Sequence, residues 1–170
     1  MTRFTRQDIR PASASDADLL SSLALRSKAY WGYSTEFMEQ CRDELNYDAA
    51  MIESAEFSFR VALLQGDKIA GFYAIEWQEG RSCELEALFV DPEYIGCGLG
   101  KLLMDDACRL AAEKGRQTMI IQGDPHARRF YEAAGGVQIG ERESASVAGR
   151  SLPLFEVCLR DRNTGAQIQG

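Results

Sequence analysis

The apolar positions follow a helical period in the first third of the chain and a strand-like period after residue 56. Four leucines form the apolar side of a helix predicted over residues 17–29, and a second helix is predicted over residues 35–54. A short strand over residues 5–10, closed by Pro11, precedes both helices. The first third of the chain is therefore predicted to be mainly helical.

The rest of the chain alternates strands with two further helices. One helix begins at the glycines of residues 96–100 and ends at Gly115, and the other begins at Asp124 and ends at residues 135–136. The remaining predicted strands cover residues 57–64, 69–77, 83–90, 118–122, 137–143 and 152–159. This order predicts an α/β (α+β) fold, with a mixed, mostly antiparallel sheet of about seven strands flanked by about four helices. We expect one domain over residues 1–160 and a polar C-terminal tail over residues 161–170.

The composition is that of an ordinary globular domain with an acidic surface. Of the 170 residues, 45% are hydrophobic and 26% are charged, which allows a sizeable core. The net charge of -7 and the pI of about 4.8 disfavour nucleic acid and anionic membranes as partners. An acidic surface is compatible with a cationic substrate, although many proteins are acidic for solubility alone.

The cysteines and the N-terminus indicate a cytoplasmic protein. The five cysteines are scattered and none pairs at metal-ligand spacing, and there is one histidine, so we expect no metal site. Unpaired cysteines are typical of a reducing compartment. No signal peptide and no membrane span are predicted, because no apolar stretch follows the N-terminus and no run approaches about 20 apolar residues.

The most informative motif is a glycine loop between a strand and a helix. Residues 90–101 read Val-Asp-Pro-Glu-Tyr-Ile-Gly-Cys-Gly-Leu-Gly-Lys. A helix start offers free N–H groups to an anion, and glycine removes the Cβ that would keep a phosphate away. A nucleoside triphosphate loop needs Gly at position 95 and Ser or Thr at position 102, and a dinucleotide loop needs wider glycine spacing. The loop instead fits the pyrophosphate of coenzyme A, the alternative being a simple tight turn.

A second motif gives the chain a resemblance to a known family. Residues 127–135 read Ala-Arg-Arg-Phe-Tyr-Glu-Ala-Ala-Gly. This segment, the glycine loop and the order of elements over residues 5–159 resemble the GNAT superfamily of acyl-CoA-dependent N-acetyltransferases. The chain departs from the family pattern at Ile95 (usually Gln or Arg), at residues 124–126 (Asp-Pro-His, often with Asn) and at Gly136 (usually Phe). With Ile95, one side-chain contact to the pyrophosphate is missing, and the backbone N–H groups of residues 97–101 remain.

The resemblance implies which residues bind and which react. Glu84 and Glu86, two apart on one strand and so on one face, are candidate general bases, with Glu84 better placed by its distance from the loop. Tyr131 is the candidate acid for the thiolate, and the backbone N–H groups of Leu88 and Val90 are candidate donors to the thioester carbonyl. The alternatives are a solvated or ion-paired face for the glutamates and a core position for Tyr131.

Two further groups of residues complete the predicted site. Coenzyme A is expected to contact the end of the strand before the loop, the loop itself and the later helix start: Leu88, Phe89, Val90, Ile95, Gly96, Cys97, Gly98, Leu99, Gly100, Lys101, Asp124, His126, Arg128 and Phe130. The acceptor amine is expected near an aromatic cluster, which could equally be helix-helix core or a dimer edge: Tyr30, Trp31, Tyr33 and Phe37.

The resemblance implies an N-acetyltransferase that moves an acetyl group from acetyl-coenzyme A to a primary amine by direct attack in a ternary complex. The acceptor is a small molecule, an amino acid or a peptide N-terminus, and a homodimer is a further expectation. A catalytically inactive acyl-CoA-binding regulatory module is the alternative, because Ile95 departs from the family pattern and neither glutamate is a certain base.

Overall fold

A seven-stranded sheet runs through the protein in the strand order β1-β2-β3-β4-β5-β7-β6. The computed structural model describes residues 3–160. The strands are β1 (Ile9–Pro11), β2 (Phe57–Leu63), β3 (Ile69–Trp77), β4 (Ser82–Val90), β5 (Thr118–Gln122), β6 (Gly136–Glu143) and β7 (Ser151–Cys158). All neighbouring strands are antiparallel except β4 and β5, which confirms the predicted mixed, mostly antiparallel sheet. The tail predicted for residues 161–170 lies outside the described residues.

The first strand is shorter than predicted. Residues 6–8 form a single 3-10 turn, because the Asp8 carboxylate accepts hydrogen bonds from the N–H of Thr5 at 2.6 Å and from its hydroxyl at 3.1 Å. Only Ile9–Pro11 pairs with β2. The prediction of a strand over residues 5–10 was therefore wrong in its first half.

Five helices flank the sheet within the described residues, one more than predicted. They are α1 (Ala17–Ala29), α2 (Thr35–Cys41), α3 (Ala49–Glu53), α4 (Leu99–Glu113) and α5 (Arg128–Ala133). The single helix predicted over residues 35–54 is wrong, because residues 42–48 form a connection in which Leu45 and Tyr47 are buried. Asp48 then caps a new helix by accepting a hydrogen bond from the N–H of Met51 at 2.9 Å.

The core lies on both faces of the sheet. Helix α4 covers one face with Leu99, Leu103 and Met104, each at most 1% exposed. Helix α1 covers the other face with Leu20 and Leu23. The two layers hold β3 and β4 between them, so β4 can position side chains at its carboxyl end.

A buried carboxylate ties α4 to the sheet. Asp106, whose side chain is 1% exposed, accepts hydrogen bonds from Tyr73 Oη at 2.6 Å and Arg60 Nε at 3.0 Å, and it also pairs with Arg109. Despite burial, these donors hold the pKa of Asp106 below its ordinary value. The network fixes the helix that begins at the glycine loop.

Candidate active site

Strands β4 and β5 separate soon after they meet. They pair only over Ser82–Glu84, whereas β4 continues to Val90. A cavity of about 500 Å³ fills the resulting gap, between the second half of β4, the glycine loop and the start of α5. The edge of β4, the start of α4 and several polar side chains therefore surround this cavity.

The edge of β4 presents two backbone donors to this gap. The N–H of Asp91 donates to the carbonyl of Ala70 at 2.8 Å, on the β3 side. N–H groups alternate between the two sides of an antiparallel strand, so those of Leu88 and Val90 face away from β3 and toward the gap. Both residues line the cavity.

Helix α4 begins at the cavity with free N–H groups. Its first bond runs from the N–H of Leu102 to the carbonyl of Gly98 at 3.1 Å, so the N–H groups of Leu99, Gly100 and Lys101 have no intrahelical acceptor. Gly98 has a φ of 79°, which other residues rarely adopt, and this turns the chain into the helix. The arrangement is a ready-made anion site.

Cys97 departs from the predicted set of loop contacts. Its N–H donates to the carbonyl of Tyr94 at 3.3 Å, and the residue does not line the cavity. The loop closes on itself at this point, so Cys97 shapes the turn while the residues after it present the free donors. Ile95 and Gly96 do line the cavity, and Ile95 is 39% exposed.

The two glutamates of β4 both line the cavity but differ in their partners. Glu84 accepts from the Arg142 guanidinium at 2.7 Å and from the Gln78 amide at 3.1 Å. Glu86 has no ion-pair partner among residues 3–160. Burial, reinforced by three nearby carboxylates, raises the pKa of Glu86 from 4.5 to about 7. The structure therefore favours Glu86, not Glu84, as the group free to accept a proton.

Tyr131 lies at the cavity with its ring buried and its hydroxyl available. The residue is 8% exposed, and its ring packs on Phe155 with centroids 5.9 Å apart. Residues 3–160 offer its hydroxyl no hydrogen-bond partner, yet the hydroxyl is not fully enclosed, so it reaches the cavity. Burial raises the pKa of this phenol, which keeps the proton on the oxygen.

The predicted aromatic cluster is only partly at the cavity. Trp31 lines it and stacks on His126, with centroids 5.4 Å apart. Tyr33 lies behind, donating to Asp124 at 2.7 Å, and stacks on Phe37 at 4.2 Å. Burial and Asp124 raise the pKa of Tyr33 to about 12.

Tyr30 and Arg128 lie away from the cavity. Tyr30 is 54% exposed, because it follows the last turn of α1 on the outside. The Arg128 guanidinium donates to the Gln138 side chain at 2.5 Å, which draws it toward β6. The geometry therefore supports neither of these two predicted contacts.

Several cavity residues escaped the sequence-based prediction. Glu44 and Tyr47 line the cavity from the connection between α2 and α3, which the helical pattern hid. Lys28, on the last turn of α1, also lines it and lies 3.9 Å from Asp124. Arg150, from the loop before β7, does not line the cavity but lies behind it, where it donates to the hydroxyl of Tyr33 at 2.8 Å. No local motif marks any of the four, since the fold brings them together.

This geometry has a counterpart in known proteins. The sequence model described as the acetyltransferase (GNAT) family matches residues 24–136, which include β4, the glycine loop and α5. The chain belongs to the GNAT acetyltransferase family. The family resemblance that the two motifs carry is thus confirmed, and the matched residues include the strand and the helix start that line the cavity.

Relatives of this GNAT chain include one protein named for its activity. Peptidyl-lysine N-acetyltransferase YjaB of Escherichia coli (strain K12) is 29% identical over 97 residues, 57% of this chain and 60% of that protein. The match thus spans less than two thirds of the relative's length.

Two solved structures share the fold. A GCN5-related N-acetyltransferase structure from Rhodopseudomonas palustris has a TM-score of 0.73 at 22% identity, covering 93% of this chain and 97% of that one. The PaiA N-acetyltransferase of Thermoplasma acidophilum, crystallised with coenzyme A, has a TM-score of 0.69 at 20% identity, covering 88% and 97%. Both confirm the predicted fold.

Residues 3–160 contain neither a metal-binding cluster nor a membrane-spanning helix. No group of three or more His, Cys, Asp and Glu side chains there is arranged to hold a metal ion. No helix there is long and apolar enough to cross a membrane.

Proposed function

We propose that this GNAT protein transfers an acetyl group from acetyl-coenzyme A to a primary amine by direct attack in a ternary complex. The observation that carries the proposal is the presence, in one cavity, of an unpaired carboxylate with a pKa of about 7 and a protonated phenol with a free hydroxyl. A base and an acid with separated pKa values are what acyl transfer to an amine requires.

The residues at the cavity fit coenzyme A. The free N–H groups of Leu99, Gly100 and Lys101 suit its pyrophosphate, with the positive end of the α4 dipole behind them. Gly100 leaves room for the ring of Phe130, which a Cβ there would approach to 3.2 Å. The gap between β4 and β5 suits the extended arm of the molecule, which needs hydrogen-bond partners along its length.

When bound, acetyl-coenzyme A supplies an acetyl group on a thioester. Glu86 accepts the proton that the amine loses as the N–C bond forms. The N–H groups of Leu88 and Val90 donate to the carbonyl oxygen, where negative charge develops. Tyr131 donates its proton to the sulfur as the C–S bond breaks. The proton gained by Glu86 and the proton lost by Tyr131 balance, and solvent restores both groups.

The acceptor class, the location and the assembly remain predictions. The acceptor is proposed to be a small molecule, an amino acid or a peptide terminus, and the named relative, a peptidyl-lysine N-acetyltransferase, supports an amine. A cytoplasmic location is proposed because all five cysteines are free. A homodimer is proposed from the family resemblance.

Thermal unfolding with and without acetyl-coenzyme A tests the cosubstrate. At a hundred times its dissociation constant a ligand adds about 2.7 kcal/mol of stability, a rise in Tm of roughly 5–11 °C for a chain of this size. ATP and NAD serve as controls and should not shift Tm. No shift with saturating acetyl-coenzyme A contradicts the proposal.

An amine screen with detection of the released thiol, together with Tyr131→Phe, then tests the chemistry. Removal of this hydroxyl should lower kcat at least about tenfold, while the Kd for acetyl-coenzyme A stays within about twofold. Arg128→Gln, outside the cavity, is the control and should keep kcat. Coenzyme A binding without turnover on any amine would instead support the inactive binding module.

A further inference from the structure

The connection between α2 and α3 builds a polar corner of the cavity that the acetyl-transfer mechanism leaves unused. Tyr47 in this connection is 3% exposed. Its N–H donates to Ser21 Oγ at 2.8 Å, and its ring packs edge-on against Phe59 and Phe72 at 5.7 and 5.6 Å. The side chain is therefore fixed before any ligand arrives.

The hydroxyl of Tyr47 is aimed into the cavity. Residues 3–160 provide it with no hydrogen-bond partner, although the rest of the side chain is enclosed. The oxygen is nevertheless not fully enclosed, and the residue lines the cavity. A buried hydroxyl without a partner costs free energy unless something in the cavity accepts or donates a bond. Tyr47 is thus a binding group without a protein partner.

The charges around this corner are unbalanced. Among residues 3–160, Glu44, Glu76 and Glu86 have no ion-pair partner. Glu44 and Glu86 line the cavity, and both act on the hydroxyl of Tyr47 by raising its pKa beyond the effect of burial. Both carboxylates therefore lie near the hydroxyl of Tyr47.

The cavity's two lysines do not supply the missing positive charge. Lys28 lies 3.9 Å from Asp124, and Lys101 lies 2.8 Å from Asp105. Asp124 is also approached by Arg150 at 3.7 Å, and neither lysine is paired with Glu44 or Glu86. The carboxylates of the cavity that have no ion-pair partner among residues 3–160 are therefore those near Tyr47.

We propose that Glu44 and Tyr47 form a subsite for a second ammonium group of the acceptor, next to the amine that Glu86 deprotonates. The preferred acceptor is then a small diamine or polyamine rather than a simple monoamine. This inference rests on the proposed acetyl transfer. An ammonium group donates to the Glu44 carboxylate and to the lone pairs of the Tyr47 hydroxyl, and its charge offsets that of the unpaired carboxylates.

The test compares 1,4-diaminobutane with 1-aminobutane, which has the same carbon chain and one amine. We expect kcat/KM of the wild-type protein to be at least about tenfold higher for the diamine, a difference of about 1.4 kcal/mol. Glu44→Gln should remove most of this preference by raising the KM for the diamine far more than the KM for the monoamine. Tyr47→Phe keeps the ring packing and should raise the same KM about threefold.

Asp43→Asn is the matched control, because Asp43 is the exposed neighbour of Glu44, carries the same charge and does not line the cavity. It should leave the preference for the diamine intact. Calorimetry of diamine binding to the protein saturated with coenzyme A gives a second readout that needs no turnover. Its Kd should rise about tenfold in Glu44→Gln and stay unchanged in Asp43→Asn.

The subsite is overturned if kcat/KM is equal for the two amines, or if Glu44→Gln and Asp43→Asn change the preference for the diamine equally. Acetylation of the monoamine would still uphold the proposed function. Failure of the proposed function looks different. In that case neither amine is acetylated and acetyl-coenzyme A does not raise Tm, whereas calorimetry of diamine binding to the protein without coenzyme A still decides for or against the subsite.

Discussion

Replacing Glu86 by Gln should make the protein more stable and less active at the same time. The carboxyl has a pKa of about 7 in the folded protein against an ordinary value of 4.5, so the fold disfavours its ionised form. Above pH 7 the side chain is ionised in both states, and the folded state bears the whole penalty. Below about pH 4.5 it is protonated in both states, and the penalty disappears.

The size of the effect follows from the two pKa values. A difference of about 2.5 corresponds to about 3.4 kcal/mol at about 1.36 kcal/mol per pKa unit. The side chain is partly exposed and solvent screens its neighbours, so we expect about 1–2 kcal/mol in practice. At pH 8.5 this raises the Tm of Glu86→Gln by roughly 2–8 °C.

Calorimetric melting of Glu86→Gln and wild type between pH 5 and 8.5 measures the effect. Glu84→Gln is the matched control, because that carboxylate is ion-paired with Arg142 and its loss should not stabilise the fold. An increase in Tm that is absent at pH 8.5, or that does not shrink as pH falls through about 7, would refute the account of Glu86.

Activity should change in the opposite sense. With wild-type protein, kcat/KM should fall about tenfold per pH unit below about 7, as Glu86 takes up its proton. Glu86→Gln should lower kcat by about 10²–10⁴ and remove this inflection, whereas Glu84→Gln should keep it. An inflection that survives in Glu86→Gln would mean that another group is the base.

Two other predictions concern the fold. Gly136→Ala should destabilise the protein by about 2–3 kcal/mol, because its Cβ would lie 2.7 Å from the carbonyl oxygen of Tyr131. Gly140→Ala is the control: no atom lies within 4 Å of a Cβ there, so its stability should change by less than about 0.5 kcal/mol. Urea unfolding measures both changes. Asp106→Asn should lose about 2 kcal/mol of stability, because Arg60 keeps its charge without a counterion and Arg109 keeps only Glu113. Equal stability of this variant and wild type from pH 5 to 8 would contradict the role of the network.

The sequence predicted the glycine loop and the strands best, because local rules control both. Gly98 needs a positive φ just before an amphipathic helix, and the strand over residues 69–77 has its predicted bounds. The break after Cys41 could not be predicted in this way, since it depends on the burial of Leu45 and Tyr47 against the sheet. Propensity is a weak guide wherever tertiary packing decides.

The difference between the two glutamates could not be predicted for a similar reason. On the sequence, Glu84 and Glu86 are equivalent positions of one strand face. Arg142, which pairs with Glu84, lies 58 residues further on, and no local pattern reveals that contact. The distinction between a paired and an unpaired carboxylate is a property of the assembled fold, and so is its consequence for the pKa.

Packing, without hydrogen bonds from its hydroxyl to residues 3–160, positions the side chain of Tyr131. A Cβ at Gly123 would come within 3.0 Å of its ring, and a Cβ at Gly136 would come within 2.7 Å of its carbonyl oxygen. The two glycines and Phe155 therefore pack closely around Tyr131. A hydroxyl that is already hydrogen-bonded to protein groups is less available to a ligand. Because packing alone positions Tyr131, its hydroxyl is free to bond to a ligand. A larger residue at either glycine would move the oxygen that we propose to react.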